Sequence, residues 1–275
     1  MELFPKFKER GVKEIEMVEG MKKSIVALCE QMKGNLEAGA YDAIISDEGG
    51  GRIPTLLISE IYKQASKKKF PTLFVASGMG YGPNNENDET TLLEYLRKGI
   101  PEAKKVLLVT QYLRTGKSTN HLIEYLRKHG VEHVEIATLE SGGPAFEGSD
   151  ADVVYKGGTL DTRQGNFAEN HSLLSGIAKS KAYDPMPIRL DKALDTGNVE
   201  RTRLMDFSEH KDFIGHETQD SVVEIGEKTR AATSKYEELA ATPLTADEKR
   251  DIQENINRTR ATIKKLAKEI VAEVW

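Results

Sequence analysis

Apolar residues recur at helical steps in the first forty residues and then gather into short continuous runs. Val12, Ile15, Val18, Ile25, Leu28, Met32 and Leu36 fall at three-, four- and seven-residue steps before Gly39 interrupts them. That spacing predicts an amphipathic helix over 11–38 with a glycine stop. From there, apolar runs alternate with helical patterns. YDAIIS (41–46), TLFVAS (72–77), KKVLLVT (104–110), VEIATL (134–139) and ADVVYKG (151–157) read as strands. IPTLLISEIYKQA (53–65), ETTLLEYLRK (89–98) and STNHLIEYLRKHG (118–130) read as helices, the second ended by Gly99 and Pro101. Unbroken Val- and Ile-rich runs suit strands buried on both faces. Their alternation with helices predicts an α/β fold, an open and mostly parallel sheet with helices on both faces. Ligands of such sheets sit beyond the carboxyl ends of the strands. The residues after each strand are therefore where chemistry is expected.

Beyond residue 158 the pattern changes. Residues 166–216 carry few apolar runs, with prolines at 185 and 187, and read as an irregular cap over the sheet rim. Helical spacing returns at about 217–241 and 246–275, and Thr245 with Glu248 fits a capping box between them. Val222, Ile225, Thr229, Ala232, Tyr236 and Leu239 form one narrow seam; Ile252, Ile256, Thr259, Ile263, Leu266 and Ile270 form another. Two such seams joined by a short linker predict an antiparallel helical hairpin. The expected organisation is a core over 1–165, a cap over 166–216 and a hairpin over 217–275. The hairpin is expected to serve as an oligomerisation or protein-partner arm that can be removed without unfolding the core.

Composition narrows the function classes. The 275 residues are 38% hydrophobic and 30% charged, with formal net charge −5. An acidic balance argues against nucleic acid as the partner. No window approaches a membrane-spanning apolar length. The N-terminal MELFPKFKER is too charged for a secretion signal. The single Cys29 cannot form an intrachain disulfide and reads as a small buried hydrophobe. A cytoplasmic protein is expected. His121, His129 and His133 make no metal-binding spacing, and no metal site is expected from the histidines.

The most informative stretch is VLLVTQYLRTGKS (106–118). A buried strand enters a turn and a helix begins at Thr115-Gly116-Lys117-Ser118. Free backbone N–H groups and the positive dipole end of a helix make an anion site there, with phosphate the natural guest. The nucleotide-binding P-loop also ends in Gly-Lys-Ser, but its first glycine belongs at 111, where this chain has Gln111. After the first strand comes Asp47-Glu48-Gly49-Gly50-Gly51-Arg52, whose glycines let backbone approach an anion closely. After the second comes a long polar, glycine-rich stretch, 78–88, of the kind that forms lids.

In these motifs and their order, residues ~40–165 resemble the type I phosphoribosyltransferases. The resemblance implies that family's sheet. It implies that Arg114, Thr115, Gly116, Lys117, Ser118 and Thr119 cradle the 5-phosphate of phosphoribosyl pyrophosphate. Glu48, Gly49, Gly50, Gly51 and Arg52 then hold the pyrophosphate. Tyr81 belongs to the mobile catalytic loop, and Asp161 matches an aspartate that follows the last strand in purine-type members. The family's two acids, which hold the ribose hydroxyls, are replaced here by Thr110 and Gln111. Both can hydrogen-bond a hydroxyl, but neither supplies negative charge to an oxocarbenium-like centre. The implied function is binding of phosphoribosyl pyrophosphate or a nucleotide. Transfer of the phosphoribosyl group to a nitrogenous base, with Mg2+, follows if the site is catalytic; otherwise the chain is a nucleotide-binding regulatory or interaction module.

Overall fold

Five strands and five helices account for the residues that the computed structural model describes: 15, 18–47, 51–75, 86–113, 116–141, 149–158 and 246–275. In chain order these are α1 (Lys22–Ala38), β1 (Ala43–Asp47), α2 (Arg52–Ser66), β2 (Thr72–Val75), α3 (Glu86–Gly99), β3 (Lys105–Leu113), α4 (Lys117–Lys128), β4 (His133–Ser141), β5 (Val153–Lys156) and α5 (Ala246–Val274). All strand pairs are parallel, in the order β2-β1-β3-β4-β5. The expected fold class is the one observed. Element ends differ from expectation: β3 runs to Leu113 instead of stopping at 110, α3 starts at Glu86 instead of 89, and α1 spans Lys22–Ala38 of the expected 11–38.

Alternation along the strands sorts the core into two layers. Ile44, Leu107, Val109, Ala137 and Leu139 face α1, α2 and α5. Ala43, Ile45, Val75, Val106, Leu108, Val134 and Ile136 face α3 and α4. Both faces of the central strands are apolar, as their continuous hydrophobic runs require. Helix α1 stops at Gly39, whose φ of +62° suits a residue without Cβ. Two strand starts are tied down in the same way. The carboxylate of Asp42 accepts the N–H groups of Lys104 and Lys105, both at 2.8 Å. That of Asp152 accepts Val134 N–H at 2.7 Å. At the edge strand β5, the Gln31 amide pairs with both backbone groups of Lys156, at 2.8 and 3.3 Å, so α1 covers part of an otherwise open edge.

The terminal helix departs from the expectation of a removable arm. Thr259, Ile263, Leu266, Ala267 and Ile270 are buried, and the apolar ones lie in the same cluster as Leu28 and Met32 of α1 and Leu57 and Ile61 of α2. Lys33 of α1 donates to Val274 O at 2.7 Å, and Lys22 pairs with Glu273 at 3.1 Å. The seam was correctly read as helical but faces the domain. Its narrowness reflects packing into the groove between two helices, where a thin apolar stripe is sufficient. The cap at 166–216 and the first hairpin helix at 217–241 lie outside the described residues. No helix among the described residues is long and apolar enough to cross a membrane. Cys29 is fully buried, and burial, with the Glu30 charge adding, pushes its thiol up to about 12, which makes it unreactive.

At the amino end of the sheet sits a polar network that sequence reasoning missed. Glu135 is buried in β4, and one carboxylate oxygen accepts Tyr41 OH at 2.5 Å, Tyr155 OH at 2.9 Å and Asn35 Nδ2 at 3.2 Å. Its other oxygen meets Lys105 Nζ at 2.7 Å. Burial opposes ionisation, but the hydrogen bonds from Lys105, Tyr41 and Tyr155 outweigh it and hold the carboxyl below its ordinary value. Burial and the same carboxylate push the Tyr41 phenol far upward. A charged residue inside an apolar strand was the available signal, because such a group is buried only when paired.

Two outcomes are expected. Ile263→Ala and Ile270→Ala should each lower global stability in urea melts by roughly 2–5 kcal/mol, because both leave cavities in the main core. Glu135→Gln should cost about 3 kcal/mol at neutral pH by leaving Lys105 without its partner. Because the folded carboxyl lies below its ordinary 4.5, its stabilisation is complete above that value and is lost as pH falls through the folded value. The gap between wild type and Glu135→Gln should therefore close on acidification.

Candidate functional site

The strand order reverses direction between β1 and β3. From β1 the chain moves one way to β2, and from β3 it moves the other way to β4. Right-handed crossovers then require the helices after β1 and β3 to lie on opposite faces. They do: α2 packs in the layer with Leu107 and Val109, α4 in the layer with Val106 and Leu108. The two helix N-termini consequently flank one crevice at the carboxyl end of the sheet, the usual ligand position in open α/β folds.

Neither N-terminus has a side-chain cap. Gly51 occupies the cap position of α2, and its carbonyl accepts Thr55 N–H at 2.9 Å. Gly116 caps α4 with φ +72°, a left-handed conformation that penalises a Cβ, and its carbonyl accepts Asn120 N–H at 2.7 Å. The first N–H groups of each helix thus point toward the crevice with no partner inside the helix. Such unpaired groups suit an anion.

The crevice has a wall. The last β1–β3 pair is Ser46 with Val109, while β3 and β4 stay in register through Leu113 and Ser141. At about 3.3 Å per residue, this ribbon rises about 13 Å beyond that pair. Thr110 and Gln111 lie at its base, 1% and 3% exposed. The expected strand end at 110 was too early by three residues, so Gln111 joins Thr110 in the strand. The Thr110 hydroxyl donates to Tyr112 O at 3.3 Å, and the Thr138 hydroxyl beside it donates to Glu140 O at 2.7 Å. Gln111 lies between the paired Thr110 and Tyr112 of β3. Its Oε1 is buried with no hydrogen-bond partner, and so is Thr55 Oγ1 in the first turn of α2. Tyr112 is 39% exposed, although large apolar side chains among the described residues are mostly buried, and its neighbour Leu113 packs in the α3 and α4 layer.

The other expected site residues divide in three ways. Gly51 and Gly116 are buried at the two helix starts, and Arg52, Lys117 and Ser118 lie in the first turns. Thr119 differs from its expected part. It is 2% exposed and its hydroxyl donates to Gly116 O at 2.8 Å, so it fixes the turn from inside. Glu48, Gly49, Gly50, Tyr81, Arg114, Thr115 and Asp161 lie outside the described residues. Among the described residues no group of three acidic, histidine or cysteine side chains could hold a metal. Sequence reasoning missed Thr55 and Tyr112. The signal for Tyr112 was an aromatic between the strand and the TGKS turn.

No protein-family model matches the chain, and no curated protein matches it in sequence. Among solved structures, a ppGpp-bound hypothetical protein from Neisseria gonorrhoeae aligns at 22% identity and TM-score 0.36, over 51% of this chain and 80% of that one. A purine phosphoribosyltransferase from Pyrococcus horikoshii aligns at 21% identity and TM-score 0.33, over 50% and 81%. Neither likeness decides what this chain binds.

An unpartnered buried acceptor costs free energy in the empty protein. Gln111→Met keeps the side chain's length and removes that acceptor. It should raise stability in urea by about 1 kcal/mol while weakening any ligand that reaches the strand end. Paired urea melts and ligand titrations check both halves.

Proposed function

We propose that the crevice between β1 and β3 binds a phosphorylated ribose compound, either phosphoribosyl pyrophosphate or a nucleotide. The observation that carries this reading is the pair of uncapped helix N-termini on opposite sides of one switch point, each preceded by glycine. Backbone N–H groups of 117–119 suit a terminal phosphate. Those of 51–53, with Arg52 in the same turn, suit a second anionic group. Pro54 in that first turn has no N–H to contribute, so the start of α2 donates through residues before it. The ribose would lie over the ends of β1 and β3.

The same geometry favours binding over transfer. Cleaving a glycosidic or pyrophosphoryl bond at an anomeric carbon develops positive charge, and preorganised negative charge nearby is the main means of stabilising it. Thr110 and Gln111 are neutral, and Thr110 already donates within its own strand. Mg2+ requires hard oxygen donors, chiefly carboxylates, phosphates and water. Thr110 and Gln111 supply no carboxylate to a resident ion. A non-catalytic nucleotide-binding module is the reading that this pair supports, with turnover on common bases slow or absent.

The reading is tested at Gly116. A valine there places a β-branched side chain on a left-handed residue at the phosphate position. Gly116→Val should lose calorimetric binding of nucleotides and of ribose 5-phosphate by at least about tenfold, with the far-ultraviolet circular dichroism of wild type. Undiminished affinity in a folded variant would remove the crevice as the site.

A further inference from the structure

We infer that the ligand of this crevice is a base-bearing nucleotide taken without a divalent cation, selected by Tyr112 and Gln111. The inference rests on the phosphorylated-ribose reading above and chooses between its two ligand classes.

Three observations point the same way. First, Tyr112 is one of three large apolar side chains left exposed among the described residues, with Val153 and Trp275. Val153 lies on the edge strand and Trp275 at the chain end; only Tyr112 stands at the carboxyl end of a central strand. It stands four residues before Gly116, the cap of α4, whose N-terminus is the phosphate position. An exposed ring there has a use if the ligand carries an aromatic base to stack on it. Phosphoribosyl pyrophosphate has no base and leaves the ring unused.

Second, Gln111 is 3% exposed and its Oε1 has no partner. A neutral buried acceptor is satisfied by a neutral donor, such as a sugar hydroxyl or a base N–H. It has no use for an anionic phosphate oxygen, which also only accepts. A metal-chelated diol would be served by a carboxylate, which this position lacks.

Third, the wall that carries both residues is part of the β3–β4 ladder. Two in-register pairs and the Thr110 and Thr138 hydroxyls tie β3 to its continuation and β4 to its own. A platform fixed in this way stacks a base at low entropic cost.

The test is calorimetric titration of the full chain with AMP, GMP, UMP, ribose 5-phosphate and phosphoribosyl pyrophosphate, each in EDTA and in Mg2+. At least one mononucleotide should bind about tenfold or more tightly than ribose 5-phosphate in EDTA, and Mg2+ should not improve it. In Tyr112→Ala that affinity ratio should fall to near one, and in Tyr112→Phe it should return. Equal affinity for ribose 5-phosphate and every nucleotide would overturn the inference while leaving the phosphate site standing. Mg2+-dependent binding of phosphoribosyl pyrophosphate tighter than any nucleotide would also overturn it. If wild type binds none of the five, the site reading itself fails, and the inference with it.

Discussion

The reversal of strand order between β1 and β3 is the constraint from which the rest of the structure follows. A parallel sheet that grows in both directions from its middle must send its crossover helices to opposite faces, because right-handed connections allow nothing else. Two helices then start at one crevice, and their unpaired N–H groups converge there. The glycines at 51 and 116 answer that geometry. Gly116 takes a backbone conformation that other residues disfavour, and no side chain competes with a ligand for the amides of either helix.

The bonded network and the proposed ligand site lie at opposite ends of the sheet. At the amino end, Glu135 gathers Lys105, Tyr41, Tyr155 and Asn35 from the start of β3, the loop before β1, β5 and α1. Every partner there is satisfied, which is the condition under which a buried charge stabilises more than it costs. At the carboxyl end the arrangement is the reverse. Thr55 and Gln111 carry buried oxygens without partners. A fold tolerates such atoms where binding later satisfies them, and the fully bonded network at the other end, with α5 closing the helical layer, offsets their cost.

Much of this was legible in the residues. Continuous apolar runs marked all five strands, because burial on both faces leaves no room for polar alternation, and the glycine stops marked helix ends. The helix start at Gly116 was legible because local sequence controls it. Three features were not legible. The true end of β3 was hidden because Gln111 looks like a loop residue, yet pairing with β4 carries the strand past it to Leu113. The partners of Glu135 come from positions 35, 41, 105 and 155, which only the folded sheet brings together. The heptad-like seam of α5 was read as an arm because a narrow stripe suits a two-helix contact. Here the stripe fills the groove made by α1 and α2, and periodicity alone cannot distinguish the two.

The central claim is that both helix N-termini belong to one ligand site. Amide chemical shifts in a 15N-labelled sample, followed during titration with a mononucleotide, test it most directly. The account predicts that the resonances of Gly51, Arg52, Gly116, Lys117 and Ser118 move together along one binding curve, while those of Tyr41, Glu135 and Tyr155 stay in place. Movement of only one of the two glycine turns, or movement centred on the Glu135 network, would contradict it.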